Sequence, residues 1–323
     1  MAPSDYAKHE FFNLTFPSEY VAQVEIDRPK KLNSFTEAMF HSLGAIFNQL
    51  SKDSDVRVIV LTAAGERAFT AGLDVQAASE SGPLAASNDA DPARKAVRLR
   101  RHILELQGAV SEIEQCEKPV IGVLYGIAYG AAIDMTTCCD IRLAAKDTRF
   151  SVKEVDIGLA ADVGTLTRLP KAQVPLSWVK DVCLTAREFT AEEALRVGFI
   201  SGVFDSKAAT LARAHELAKL IATKSPIAVQ ATKEVINFSR DHSVPDGESC
   251  LVGLSVTGLT IYRPELCCGI QRRHAADPRC AKRDARRNQK DKTYVLETIV
   301  RQNRSVADTT QNSFDIYTTP AIL

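Results

Sequence analysis

The sequence predicts an α/β protein, and three stretches carry that expectation. VRVIVLT at 56–62 is a near-continuous β-branched run, as a strand covered on both faces requires. YVAQVEID at 20–27 alternates apolar and polar residues, which fits a half-buried strand. Between them Met39, Phe40, Leu43, Ile46, Phe47 and Leu50 recur at helical spacing on one face. Strand, amphipathic helix and buried strand in succession open an α/β fold.

The remaining elements follow in chain order. RPKKLNSF at 28–35 turns the chain, with Pro29 fixing the turn and Arg28, Lys30 and Lys31 presenting charge. Ser34 and Glu37 have the spacing of a capping box at the start of the helix. AFTAGLDV at 68–75 follows a short AAGER turn; Gly72 leaves backbone N–H groups unshielded, a candidate cradle for an anionic oxygen. ESGPLAASNDADPARK at 80–95 has the small and polar residues of a surface loop. The helix expected over Ala93–Gln115 carries Arg94, Lys95, Arg98, Arg100 and Arg101, either a solvated face or a phosphate or RNA contact. KPVIGVLYG at 118–126 is a further buried strand. Gly126 and Gly130 then bracket a turn into a helix from Ala131, whose N-terminal N–H groups suit a developing oxyanion. DIRLAA and TRFSVKEV are short strands, and from Val163 the chain becomes mainly helical. Thr190 and Glu193 form a second capping box for a helix that stops at Gly198. GVF is a brief strand, and amphipathic helices over 207–224 and 226–239 are parted by Ser225–Pro226. The domain organisation expected is a core over 10–200, a helical oligomerisation region over 201–265, and a basic and polar tail over 266–323 that is expected to be disordered.

Composition narrows the function. Forty basic residues balance forty acidic ones, so no global field draws the chain to nucleic acid or anionic lipid. Eight cysteines without a CxxC pair read as reduced intracellular thiols. The six histidines show no HExxH motif, and no metal centre is expected. No apolar run reaches spanning length, no targeting signal is seen at either terminus, and no nucleotide fingerprint is present.

The chemistry concentrates between Gly126 and Gly164. Asp134 lies in the apolar run AAIDMTTCC, while Glu154 and Asp162 flank the Gly- and Ala-rich DIGLAA. An acid among such neighbours is either paired or shifted in pKa, and shifted carboxylates transfer protons. Each could instead cap a helix or pair with a nearby Arg.

RPKKLNSF, AFTAGLDV, KPVIGVLYGIAYGAAIDM, CCDIRLAA and VKEVDIGLAADVGTLTRLP together resemble the crotonase superfamily, the enoyl-CoA hydratase/isomerase enzymes, over about residues 10–245. The carboxylate pattern is most similar to the Δ3,5-Δ2,4-dienoyl-CoA isomerase branch. That resemblance implies a crotonase-like spiral of ββα units followed by C-terminal helices that build a homotrimer or hexamer. It implies Asp134, Glu154 and Asp162 as catalytic residues, Glu154 working at C2, Asp162 at the distal carbon and Asp134 in electrostatic support. The oxyanion hole would be the N–H groups of Leu73 and Ala131. Ala71, Gly72, Leu73, Asp74, Val75 and Ala131 would line the acyl-CoA thioester, with Arg28 and Lys31 toward CoA. No cofactor is implied beyond the coenzyme A of the substrate, and the compartment implied is a peroxisome or mitochondrion. Two other readings stay open: a hydratase or Δ3-Δ2 isomerase in fatty-acid or polyketide metabolism, and a non-catalytic scaffold or RNA-associated member. After GIQRR at 269–273 the resemblance stops.

Overall fold

Hydrophobic residues on alternating faces of parallel strands set the architecture. The computed structural model describes Tyr6 and residues 8–80, 91–248 and 250. The elements below all belong to one compact unit, Met1–Gly247. The tail expected over 266–323 lies outside the described residues, as does most of the surface loop.

A six-stranded sheet has the order β1 (Phe12–Ser18), β2 (Val21–Ile26), β3 (Val58–Ala63), β5 (Val120–Leu124), β7 (Ile141–Ala145) and β10 (Gly202–Phe204). A four-stranded sheet has the order β4 (Ala68–Thr70), β6 (Ile127–Tyr129), β8 (Arg149–Ser151) and β9 (Phe189–Thr190). Successive strands therefore alternate between sheets: β3 then β4, β5 then β6, β7 then β8. Helices α1 (Glu37–Lys52), α2 (Val75–Glu80), α3 (Pro92–Gln115) and α4 (Ala131–Thr136) join these turns. This is the spiral that the resemblance implies. Helices α5 (Thr165–Arg168), α6 (Leu176–Thr185), α7 (Ala191–Arg196), α8 (Lys207–Ala222) and α9 (Pro226–Ser239) follow.

The β-branched run of β3 has a direct cause. Ile59, Leu61 and Ala63 enter the core beneath α1 and α3, while Val58 and Val60 enter a second cluster with Ile121, Val123 and α8. Both faces are dry, so alternation disappears from the sequence. Parallel registers fix the stack, with Val60 opposite Ile121 and Val123 opposite Leu143. At the corner between β5 and β6, Gly126 has φ +54°, and a Cβ there would stand 2.3 Å from the Arg67 carbonyl oxygen. Only glycine fits that corner.

Several local expectations change. Thr36, not Ser34, is the N-cap of α1, and no side chain caps it. Ser34 Oγ instead accepts from Arg28 Nη1 at 3.1 Å. β1 alternates Phe12, Leu14 and Phe16 with exposed residues and carries a Pro at 17; it is an edge strand with an irregular register between Thr15 and Ser18, where such a residue is tolerated. The stretch between Gly126 and Gly130 holds β6 rather than a simple turn. TRFSVKEV is a strand only to Ser151, and Glu154–Ile157 forms a 3-10 turn closed by Gly158. Of the second capping box the N-cap half forms, Glu193 N–H donating to Thr190 Oγ1 at 3.2 Å, while the Glu193 carboxylate accepts from Trp178 Nε1 and Arg187 instead.

Candidate active site

The site is built where three backbone segments approach one another at glycines. A Cβ on Gly72 would lie 3.1 Å from the Tyr129 carbonyl oxygen and 3.6 Å from Ala131 N. One on Gly130 would lie 3.2 Å from Glu154 Oε1 and 3.6 Å from Gly72 Cα. Side chains at 72 or 130, the residues before Leu73 and Ala131, would therefore crowd the Ala131 N–H and the Glu154 carboxyl. Among the described residues neither the Leu73 N–H nor the Ala131 N–H has a hydrogen-bond partner. Two such donors beside a carboxyl group suit an oxygen that gains charge during reaction.

The Leu73 donor is held by lacing between residues 28–35 and 64–74. Asn33, at φ +54°, donates from Nδ2 to the carbonyls of Ala64 and Ala68, each at 2.9 Å. Thr70 Oγ1 donates to the Asn33 carbonyl at 2.7 Å. Phe35 N–H donates to Gly72 O, and Asp74 N–H to Phe35 O, both at 2.8 Å. Arg28 Nη1 pairs with Asp74 Oδ2 at 2.7 Å and donates to Ser34 O at 2.9 Å. Asp74 also accepts from Ala77 N–H at 3.1 Å, so its carboxylate braces the loop and the start of α2. Ala71 is half-buried, Val75 is exposed at the head of α2, and Lys31 is exposed beside the turn.

Asp134 is buried in the first turn of α4. Its Oδ1 accepts from Thr165 N–H at 2.6 Å and Thr165 Oγ1 at 2.7 Å. Gly164 lets Arg168 lie close beside this loop, since a Cβ there would stand 2.7 Å from Arg168 Nη1. Burial raises the Asp134 pKa to about 6, against the Thr165 bonds and the Arg168 charge. Glu154 sits at the head of its 3-10 turn, half-buried, with Oε2 lacking a hydrogen-bond partner among the described residues. Burial first, then the Asp134 charge, raises its pKa to about 7. Asp162 is exposed, near enough that its charge pushes both other carboxyls up. Its main-chain carbonyl accepts from Gln107 Nε2 of α3 at 2.6 Å. The fold thus gathers all three carboxylates, each in a different environment.

Sequence reasoning missed the supports. Thr165 is one, and the ion-paired cluster of Glu114 with Arg168 at 2.9 Å and Arg240 at 2.6 Å is another. Arg168 tempers the Asp134 charge, but its partner Glu114 comes from α3 and the second cation on Glu114, Arg240, from the end of α9, so no local pattern displays them. Thr165→Val should lower stability by about 1–3 kcal/mol in denaturant unfolding near neutral pH, because a buried carboxylate loses one of two donors. The same change should raise the Asp134 pKa further and, by discharging Asp134, lower that of Glu154.

The two raised carboxyls set a pH dependence. Between the ordinary carboxylate pKa values and about 7, the folded protein holds more protons on Asp134 and Glu154 than the unfolded chain does. Their contribution to stability is therefore greatest at acid pH and declines as pH rises through that window. Asp134→Asn should flatten this part of a plot of unfolding free energy against pH.

An enoyl-CoA hydratase/isomerase family model matches residues 17–247. The chain is 42% identical over 238 residues to the mitochondrial Δ3,5-Δ2,4-dienoyl-CoA isomerase of Homo sapiens, covering 74% of this chain and 72% of that one. It is 39% identical over 222 residues to the peroxisomal Δ3,5-Δ2,4-dienoyl-CoA isomerase of Arabidopsis thaliana, covering 69% and 79%. Among solved structures, an enoyl-CoA hydratase from Bacillus anthracis shares the fold with a TM-score of 0.69 at 24% identity, over 81% of this chain and 95% of that one. With the two-sheet spiral, the paired N–H donors and these likenesses in agreement, the chain belongs to the enoyl-CoA hydratase/isomerase family.

Proposed function

We propose that the protein isomerises 3,5-dienoyl-CoA esters to 2,4-dienoyl-CoA esters. The observation that carries the reading is Glu154, whose unpartnered Oε2 and Gly130-facing Oε1 stand beside the two free N–H donors, with Asp162 nearby. The thioester carbonyl accepts from Leu73 and Ala131, which stabilises the enolate; one such donor is typically worth roughly 10²–10³ in rate. Glu154 takes the C2 proton, and the electron pair moves into a conjugated dienolate. Asp162 gives a proton to C6, and the double bonds settle at C2 and C4. One proton leaves and one arrives, so the reaction needs no cofactor. Asp134 stays in place, bonded to Thr165, and sets the charge felt by Glu154.

Hydration would need a second carboxylate to share a water with Glu154, and Asp134 Oδ1 already takes two bonds from Thr165. That engagement favours isomerisation. Exposed Lys31 suits the CoA phosphates better than Arg28, which is committed to Asp74. Exposed apolar side chains at Leu184, Leu220, Ile227 and Ile236 support assembly into a trimer or hexamer. The human and plant likenesses favour a mitochondrion or peroxisome. The test is to incubate the protein with 3,5-dienoyl-CoA and, separately, 2-enoyl-CoA while following ultraviolet spectra. A rising 2,4-dienoyl absorbance supports the reading; turnover of only the 2-enoyl ester would replace it with hydration.

A further inference from the structure

Helices α1 and α3 lie side by side in matched register. Asn48 Nδ2 donates to Glu112 Oε2 at 3.0 Å. One turn earlier, a Cβ on Gly44 would stand 3.0 Å from Ala109 Cα, so the backbones nearly touch. Continuing toward the N-terminus of α1, the same register brings His41 and Glu37 against Glu105 and His102. Glu37 and His41 are four residues apart on one helix face, and His102 and Glu105 are three apart on the other, so each pair projects together.

The distances suit one shared ion. His41 Nε2 lies 3.8 Å from Glu37 Oε1, and His102 Nδ1 lies 3.5 Å from the same oxygen. One ligand atom each from Glu37, His41 and Glu105 falls within 4.8 Å of the others. Ligand atoms about 2.0–2.1 Å from one tetrahedral ion stand about 3.4 Å apart, so modest side-chain adjustment closes the set. One imidazole and two carboxylates from two helices form a three-ligand set that borderline cations accept, with water completing the tetrahedron, and His102 stands outside it against Glu37. None of the four belongs to the carboxylate site, and histidine spacing along the sequence gives no hint of them.

We propose that Glu37, His41 and Glu105 bind a divalent transition-metal cation of the zinc class, which staples α1 to α3, with His102 as the outer partner of Glu37. The ion has a structural role: it fixes the helix whose Gln107 side chain holds the Asp162 carbonyl. The alternative is a pair of imidazole–carboxylate contacts with no ion.

The test uses the full chain, stripped with a chelator and titrated with Co2+ alone. The expected result is the visible d–d absorption of tetrahedral cobalt, saturating at one ion per chain and displaced by Zn2+, with Zn2+ raising the unfolding midpoint. His41→Ala and His102→Ala should each weaken binding by at least roughly tenfold, the loss that even outer partners of a metal cause. Glu105→Gln, nearly isosteric, serves as a second variant should either histidine change disturb folding in the metal-free state. Absence of the visible band at millimolar Co2+ would overturn the proposal. So would a band unchanged in all three variants, or thiolate-to-cobalt charge transfer placing the ion on cysteines.

Discussion

Glu154→Gln should remove isomerisation together with exchange of the C2 proton into deuterated water. The change keeps volume and the approach to Gly130, but it deletes the carboxyl that faces Gly130 at the start of the Ala131 turn. General-base catalysis is typically worth roughly 10²–10⁴-fold, and the loss should fall in that range. Binding of the CoA ester should persist, since the oxyanion donors are backbone groups. Wild-type C2 exchange in the variant would assign the base elsewhere. In the wild-type enzyme the acid limb of kcat/KM should bend near pH 7, because Glu154 works as the carboxylate and burial holds its proton to about that pH. A bend in the ordinary carboxylate range would show that Glu154 is not the titrating base.

Asp162→Asn should separate the two proton transfers. C2 exchange depends on Glu154 and the N–H pair, so it should continue. Reprotonation at C6 should fail, lowering dienoyl isomerisation by roughly 10²–10⁴-fold. Asp162 is exposed and its main-chain carbonyl is the atom that Gln107 holds, so the substitution should leave the unfolding midpoint nearly unchanged. Full turnover would make Asp162 a structural residue and remove the dienoyl assignment. Loss of both activities would instead mean that its charge is needed to tune Glu154.

How far the sequence discloses this arrangement depends on the range of the interactions. β3 and β5 are plain because both faces are buried and nearly every position is apolar. α1 is plain because one face is buried along its whole length. Asp134 and Glu154 stand out because acids in apolar or glycine-rich surroundings are rare. β6 and β9 have only three and two residues, too few for any period to register. Thr165 is hidden because its value lies in contacts with Asp134, thirty-one residues away. The two helices that bring Glu105 to Glu37 and His41 meet only in the fold, so their pairing leaves no mark on either segment. The misplaced cap of α1 has the same origin, since Ser34 is claimed by Arg28 within the long-range lacing to Asp74.

The position of α8 has a consequence for synthesis. Val21, Val58, Val60, Ile121 and Val123 form an apolar surface on the six-stranded sheet, and Ala214, Ala218 and Ala222 of α8 cover it. Those strands leave the ribosome well before residues 207–222. In this sheet β1, β2 and β3 pair in sequence order, but β3 must wait for β5, β5 for β7, and β7 for β10 to supply its last partner. A nascent chain halted between 145 and 207 therefore carries a wide, sticky, strand-rich face with no lid. Such an intermediate invites aggregation and engagement by chaperones. Slow codons or translational pauses placed in that interval should lower the yield of soluble protein, whereas pauses after residue 222 should not.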